Sequence, residues 1–374
     1  MTTTDLTVLE GDLDGFFRVP FEIYPADSPY VTPMRADLER YLDPTRNPLM
    51  RDDGGRLTYL TAWRDGRPVG RLTAHTHPSS NARHGLRRCQ FGYFDCEDRV
   101  ETARALFDAA ETFTRAQGCD ELVGAFNLTA MQQAGVLTDG FENQPYTDMI
   151  WGAPHLPRLL QACGYSPIFP MSTFEFDVGP KTAEALLGDK QRAVLSDPDW
   201  TWTPISRSAF KARFEEARQC LNDGFSDNPM FVPLTPSEFD FQAGEMMWIV
   251  DPRIACVVHY RGKPAGVVIC IPDLNAFQKA TRGRIGPMTL VHFIRERLRR
   301  RRAVIIFYSV KRALHGQGLN GAMLHQVIKA LFAGGYEQCG VTWIADENTA
   351  SLRQMEKLNA RRLQRLNLFR KDLR

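Results

Sequence analysis

Between Ala303 and Asn348 the hydrophobic pattern changes period twice, and that change limits the folds open to the chain. Ala303–Val310 (AVIIFYSV) is a short apolar, β-branched run that predicts a buried strand. A basic, glycine-containing turn follows from Lys311 to Asn320. Leu319, Met323, Val327, Ile328 and Leu331 then recur at helical spacing, and Gly334 and Gly335 end that helix. Val341–Ile344 predicts a second strand, and Asn348 opens another helix. A strand, a flexible turn and a helix N-terminus leave a run of backbone N–H groups without partners, which is an anion-binding arrangement. Lys311, Arg312 and His315 crowd that N-terminus, where cations are unfavourable unless an anion joins them. An ordinary turn with a glycine-ended helix is the plainer alternative.

A chain of 374 residues has room for two such units. RDGRPVGR at Arg64–Arg71 and YRGKPAGV at Tyr260–Val267 share their turn glycine (Gly66, Gly262), proline (Pro68, Pro264) and second glycine (Gly70, Gly266) at one constant spacing. Each hairpin is followed by strand, helix, glycine, strand, so the chain reads as an internal duplication. The expected organisation is an α/β (α+β) protein of two domains, each a twisted mixed sheet flanked by helices. The first spans 1–180, a linker with one helix spans 181–204, and the second spans 205–374.

The stretch from Ala303 to Asn348 resembles the acyl-CoA-binding core of the GNAT superfamily of N-acyltransferases. In that family's signature an Arg or Gln is followed by glycines that hold a pyrophosphate; His315, Gly318 and Asn320 occupy the aligned positions. Phe21-Glu22-Ile23-Tyr24, Val69-Gly70-Arg71, Phe91-Gly92-Tyr93-Phe94, Pro272-Asp273-Leu274-Asn275 and Trp343–Asn348 extend the resemblance to a bacterial family of tandem GNAT proteins. General architecture is similar also to its ceramide synthase branch. The resemblance implies acyl-CoA as co-substrate and no metal. It places the cofactor on Ser309, Val310, His315, Gly316, Gln317, Gly318, Leu319, Asn320, Gly321 and Asn348. The first copy has Asp95-Cys96-Glu97-Asp98 at the equivalent turn, without glycine and with three carboxylates that would repel a pyrophosphate. CoA is therefore expected only in the second copy, with the first as a structural half or a wall of the acceptor pocket.

Amide formation needs a neutral amine, a polarised thioester carbonyl and a proton for the departing thiolate. Many family members supply that proton from a Tyr in the last helix, but Met355 stands at the aligned position. Tyr308, Glu245 and His259 are the candidate acid or base groups, each with a plainer reading as a core or surface residue. Asp273 and Asn275 open a long stretch, Pro272–Arg302, that reads as an acceptor lid; they are candidate substrate ligands, with an Asx-turn as the alternative. The acceptor class is an amine, either a small water-soluble one or a long-chain amino lipid such as a sphingoid base. A non-catalytic acyl-CoA sensor is the competing class.

Met288–Arg302 (MTLVHFIRERLRRRR) combines an apolar stripe with a crowd of arginines. Helix-end charges are one reading, and peripheral contact with anionic lipid is the other. A net charge of +2 argues against a nucleic-acid binder, and the scattered cysteines argue for reduced thiols. No leader or spanning segment is legible, so the expectation is a cytoplasmic protein, at most peripheral to the inner membrane.

Overall fold

The computed structural model describes residues 6–128, 133–228, 230–243, 247–299 and 301–374. The chain divides into two compact units. One runs up to Met171 and takes in Phe277–Thr289 and Gln364–Arg374; the other holds Ser172–Ala276 and Leu290–Leu363.

The first stretch of chain supplies β1 (Leu6–Glu10), α1 (Leu13–Ile23), α2 (Arg35–Leu42), α3 (Pro48–Arg51), β2 (Leu57–Arg64), β3 (Arg67–Thr76) and α4 (Pro78–His84). Then come β4 (Arg88–Cys96), α5 (Val100–Ala116), β5 (Glu121–Gly124), β6 (Val136–Asp139), α6 (Leu156–Ala162) and β7 (Ser166–Asp177). The second stretch supplies α7 (Pro180–Glu184), α8 (Asp189–Ser196), β8 (Trp200–Pro204), α9 (Phe210–Gly224), α10 (Pro236–Ala243), β9 (Ala255–Tyr260) and β10 (Lys263–Pro272). It continues with α11 (Asn275–Thr281), α12 (Thr289–Arg299), β11 (Arg302–Val310), α13 (Leu319–Ala333), β12 (Gln338–Ala345), α14 (Thr349–Lys357) and β13 (Arg361–Asp372).

In the first unit the strand order is β1-β2-β3-β4-β5-β13, with β6 also on β13. In the second it is β7-β12-β11-β10-β9-β8. The hairpins β2–β3 and β9–β10 are copies in detail. Each turns through two residues at positive φ, Asp65-Gly66 and Arg261-Gly262, the backbone a tight type I′ turn requires. Each then carries a register shift beside its proline, Pro68 or Pro264. The second shared glycine has one role in both units. A Cβ on Gly70 would strike Leu106 of α5 at 2.9 Å, and one on Gly266 would strike Met323 of α13 at 2.9 Å. Both glycines let the helix lie close on the sheet.

Three features differ from the sequence expectation. The residues 181–204 carry α7, α8 and β8, all in the second unit, rather than a spacer with one helix. The end of β13 joins the first unit, where Phe369 pairs with Gly124 and Leu366 with Leu137. Edge backbone groups of β5 and β6 need a partner, and the last strand of the chain supplies it.

The third difference concerns Asp95. It lies in strand β4, one residue before its end, and is buried, outside the acidic turn to which its sequence position assigned it. Arg71 donates to it from Nε at 2.8 Å and lies within 2.6 Å through Nη2, and the Tyr24 hydroxyl donates to its other oxygen at 2.6 Å. Arg71 also donates to the Tyr30 hydroxyl and the Phe16 carbonyl, so the buried pair is satisfied on both sides. Asp95→Asn strips the counter-charge from a buried guanidinium. It is expected to destabilise the first unit by about 3–5 kcal/mol, read as a lower urea midpoint; an unchanged midpoint would show that the pair carries no such load.

Candidate functional site

Strand β11 is held on one side by β10 along its whole length, from Pro272↔Ala303 to Gly266↔Val310. On the other side it pairs with parallel β12 only at Arg302–Ile305 against Gln338–Val341. At that point the register with β10 slips: Ile269 faces Phe307 and Cys270 faces Ile305, which leaves Ile306 as an extra residue. The bulge bends β11 away from β12, and the two strands part into a fork. Beyond the ladder, the Thr342 hydroxyl donates to the Ile305 carbonyl at 3.3 Å.

The open arm of β11 leads into the turn Lys311–Gly318 and then α13. Gly316 and Gly318 adopt φ of 77° and 95°, and Gly318 is the N-cap residue of α13 without a side-chain cap. Among the described residues no acceptor is recorded for the backbone N–H groups of Gly316–Gly321. Together with the N-terminus of a 15-residue helix they form a nest for an anion.

The cations that sequence placed there have separated. Arg312 is turned to Asp227 at 3.0 Å, and its N–H is taken by Asp223. The His315 ring donates from Nε2 to the Val310 carbonyl at 2.9 Å, closing the end of β11. A different cation arrives from α8, because Lys190 donates from Nζ to the Gly316 carbonyl at 2.9 Å. A Cβ on Gly318 would meet the Lys190 main chain at 2.7 Å, and one on Gly321 would meet the Gln191 side chain at 3.0 Å. Gly318 is therefore needed for α8 to seat against the turn, whereas a side chain at 321 would require only that Gln191 shift.

The buried Asn320 Oδ1, in the first turn of α13, and Gln354 Oε1, on α14, have no hydrogen-bond partner among the described residues. The nest suits phosphate oxygens and the Asn320 oxygen beside it suits an amide N–H donor; a CoA carries both kinds of group, so these residues fit it. Leu319 is buried under the turn and Gln317 is exposed on it. Asn348 caps α14 through the Ser351 N–H at 3.1 Å. Ser309 points to the other face, where its hydroxyl donates to the Cys220 carbonyl of α9 at 3.0 Å.

The candidate acid–base groups lie apart. Tyr308 sits on the open arm, and its hydroxyl donates to the Asn320 carbonyl. Burial pushes that hydroxyl well above the usual phenol range, so Tyr308 is a neutral acid and never a base near neutral pH. His259 is on β9, separated from β11 by β10. Its Nε2 donates to Glu216 at 3.1 Å and its Nδ1 lies 3.3 Å from the Thr203 hydroxyl. Glu245 lies outside the described residues. Met355 is buried core, with no proton to give.

Asp273 and Asn275 fall on the closed side of the fork. Asp273 accepts from the Asn275 N–H at 3.2 Å and pairs with Arg302 at 3.2 Å, the Asx-type arrangement at the start of α11. The stretch expected as a lid holds two helices. Its middle, Phe277–Thr289, is anchored within the first unit: the Gly283 carbonyl accepts from Arg35 at 2.7 Å and Lys279 donates to the Ser28 carbonyl at 3.0 Å. Sequence reasoning passed over Ile306, Lys190 and Gln354. A bulge has no sequence signature in an apolar run, and Lys190 is remote from the turn in the chain.

The first unit repeats the fork and closes it. β4 pairs with β5 only at Arg88–Phe91 against Glu121–Gly124, and the register with β3 slips at the next residues. The Phe126 N–H then donates to the Phe91 carbonyl at 2.6 Å, and Asn127 Oδ1 accepts from the Tyr93 N–H at 2.8 Å. A Cβ on Gly92 would overlap the Phe126 carbonyl at 2.0 Å. The chain itself fills the gap. A cleft of about 60 Å³ remains beside it, lined by Tyr30, Tyr93, Asn127, Met149 and Trp151.

Residues 214–360 match the acetyltransferase (GNAT) family. Across nearly the whole chain two relatives are similar. The protein YghO of Escherichia coli K12 is 24% identical over 97% of this chain and 94% of its own. A bacterial ceramide synthase of Caulobacter vibrioides is 24% identical over 100% of this chain and 99% of its own. Among solved structures, a tandem GNAT protein from the clavulanic acid biosynthesis pathway superposes with a TM-score of 0.60 at 11% identity, covering 99% of both chains.

The free nest carries a direct test. A side chain at Gly316 meets open space, so Gly316→Asp adds a carboxylate beside the unpaired N–H groups without displacing α8. CoA binding by calorimetry is expected to weaken by at least about tenfold relative to Gly316→Asn, which carries the same left-handed backbone strain without the charge. Undiminished binding would put the anion elsewhere.

Proposed function

We propose, for a chain that belongs to the tandem GNAT family of N-acyltransferases, that its second unit moves an acyl group from a CoA thioester to a primary amine on a long-chain lipid at a membrane surface. The observation that carries the acyl-transfer reading is the fork ending in a free nest. It offers an open strand edge for an extended chain of amides and, at its end, donors for phosphate. The lipid acceptor draws support from the ceramide synthase relative.

In this reading Gly316–Gly321 hold the pyrophosphate through backbone N–H groups, with Lys190 adding positive charge at the rim. Asn320, at the nest, accepts from an amide N–H group. The bulge at Ile306 frees backbone N–H groups of β11 to polarise the thioester carbonyl, where donors already in place stabilise developing negative charge without reorganisation. Tyr308, held neutral by burial, can offer its O–H as a hydrogen-bond donor to the departing sulfur, while the proton that neutralises the thiolate comes from solvent. The amine loses its own proton to solvent or to a base outside this group. A closed first unit leaves the second with the cofactor.

Thiol release from acyl-CoA is the deciding assay. It is expected with a sphingoid base in mixed micelles and at a far lower rate with short water-soluble amines. Fast release with short amines alone would move the acceptor to a small molecule; CoA binding without release by any amine would favour a sensor. Lys190→Ala is expected to raise KM for acyl-CoA several-fold with kcat nearly unchanged, because a charge on the phosphates binds ground and transition states alike. A selective fall in kcat would place Lys190 nearer the chemistry.

A further inference from the structure

Helix α12 has its apolar side outward. Leu290, Val291, Ile294 and Leu298 are 67%, 51%, 49% and 81% exposed, and no residue of the helix is buried. With 3.6 residues per turn these four side chains share an arc of about 100°. Arg297 borders the arc on one side and Arg295 on the other. The opposite side carries Phe293 and Glu296, both half-buried. Burial first, and then the nearby Asp273, raise the Glu296 carboxyl above its ordinary range. A surface helix normally turns its apolar stripe to the core and its charges to water. Here the acid faces inward and the leucines face out, which marks a surface built to be covered.

We propose that α12 docks on an anionic membrane, with its outer stripe entering the interface and its arginines on lipid headgroups. Charge complementarity selects this occupant. Arg295, Arg297 and Arg299 are exposed on or next to the borders of the stripe. Long guanidinium side chains there reach phosphate while the apolar side chains between them sink past it. A second copy meeting the same face across a twofold axis would set arginines against arginines. No described helix is long and apolar enough to cross a membrane, so this contact lies in the plane of the surface. Two arginines counted with this helix in sequence belong elsewhere: Arg302 starts β11 and pairs with Asp273, and Arg301 pairs with Glu337 at 2.9 Å. Arg300 lies outside the described residues. The inference stands on the helix alone and is tested without any acyl-transfer assay.

The test is sedimentation of the full chain with vesicles of phosphatidylcholine, alone or mixed with phosphatidylglycerol. Binding is expected to the mixed vesicles only, and to fade with added salt as the Debye length shrinks to about 8 Å at physiological ionic strength. Arg295→Gln, Arg297→Gln and Arg299→Gln together are expected to weaken it by about a hundredfold. Ile294→Ser with Leu298→Ser keeps every charge and alters only exposed positions, so the fold is retained; it should weaken binding by at least about tenfold. Equal binding to neutral vesicles, no binding at low salt, or wild-type binding by both variants would overturn the proposal. So would a dimer in sedimentation equilibrium that the serine variant dissolves, since a second copy would then own the face.

Discussion

A strand cannot leave its neighbour in a sheet without exposing backbone groups that demand partners, and this chain meets that demand twice. In the second unit β11 bulges at Ile306, parts from β12 and runs into a turn and helix start where, among the described residues, the N–H groups of Gly316–Gly321 have no partner. In the first unit β4 parts from β5 after the same number of paired residues, and Phe126 and Asn127 fold back to satisfy it. Among the described residues nothing fills the fork of the second unit, which leaves it a candidate site; the other is a sealed joint. Unmet hydrogen-bonding capacity is costly in a buried place and useful in an open one. The chemistry assigned to the second unit grows out of that difference.

The duplicated scaffold explains why the two forks exist at all. The type I′ turns, the proline-side register shifts and the glycines under α5 and α13 recur in both units. What has diverged is the joint between strand and helix. The first unit spends its polar residues on internal pairs, with Arg71 on Asp95 and with Arg64 and Thr102 on Glu97. The second keeps a longer, glycine-bearing turn and draws α8 against it. The glycine at 318 thus answers two demands, a left-handed φ and the close approach of Lys190. Conserving a glycine for a ligand and conserving it for a neighbour would look the same in a sequence.

Helix α12 belongs to the same reasoning about unmet surface. Its stripe is apolar and outward, and its acid is inward beside Asp273. A long-chain amine resides in a membrane, so an enzyme acting on one gains from a surface that holds it there. Such a surface would concentrate enzyme and acceptor in one plane without adding any group to the reaction.

The α/β class, the duplication and the strand–turn–helix core were legible in the chain because they rest on local rules: period-two and period-3.6 patterns, turn glycines and helix ends. The positions from Gly316 to Gly321 could be marked because glycine and helix start are adjacent in sequence. Other things depended on which distant segments meet. Residue spacing put Asp95 in an acidic turn, but packing against Arg71 made it part of a strand. Arg312 and His315 read as nest cations, but Asp227 and the Val310 carbonyl hold them, while Lys190 comes from a stretch that read as linker. The exchange of the last strand into the first unit was invisible for the same reason, since a ladder partner is chosen by register and not by sequence distance. Sequence determined which elements form, because each element is stabilised by neighbours in the chain. Only tertiary structure decided which backbone groups stay unpaired, because that depends on every segment that could have reached them.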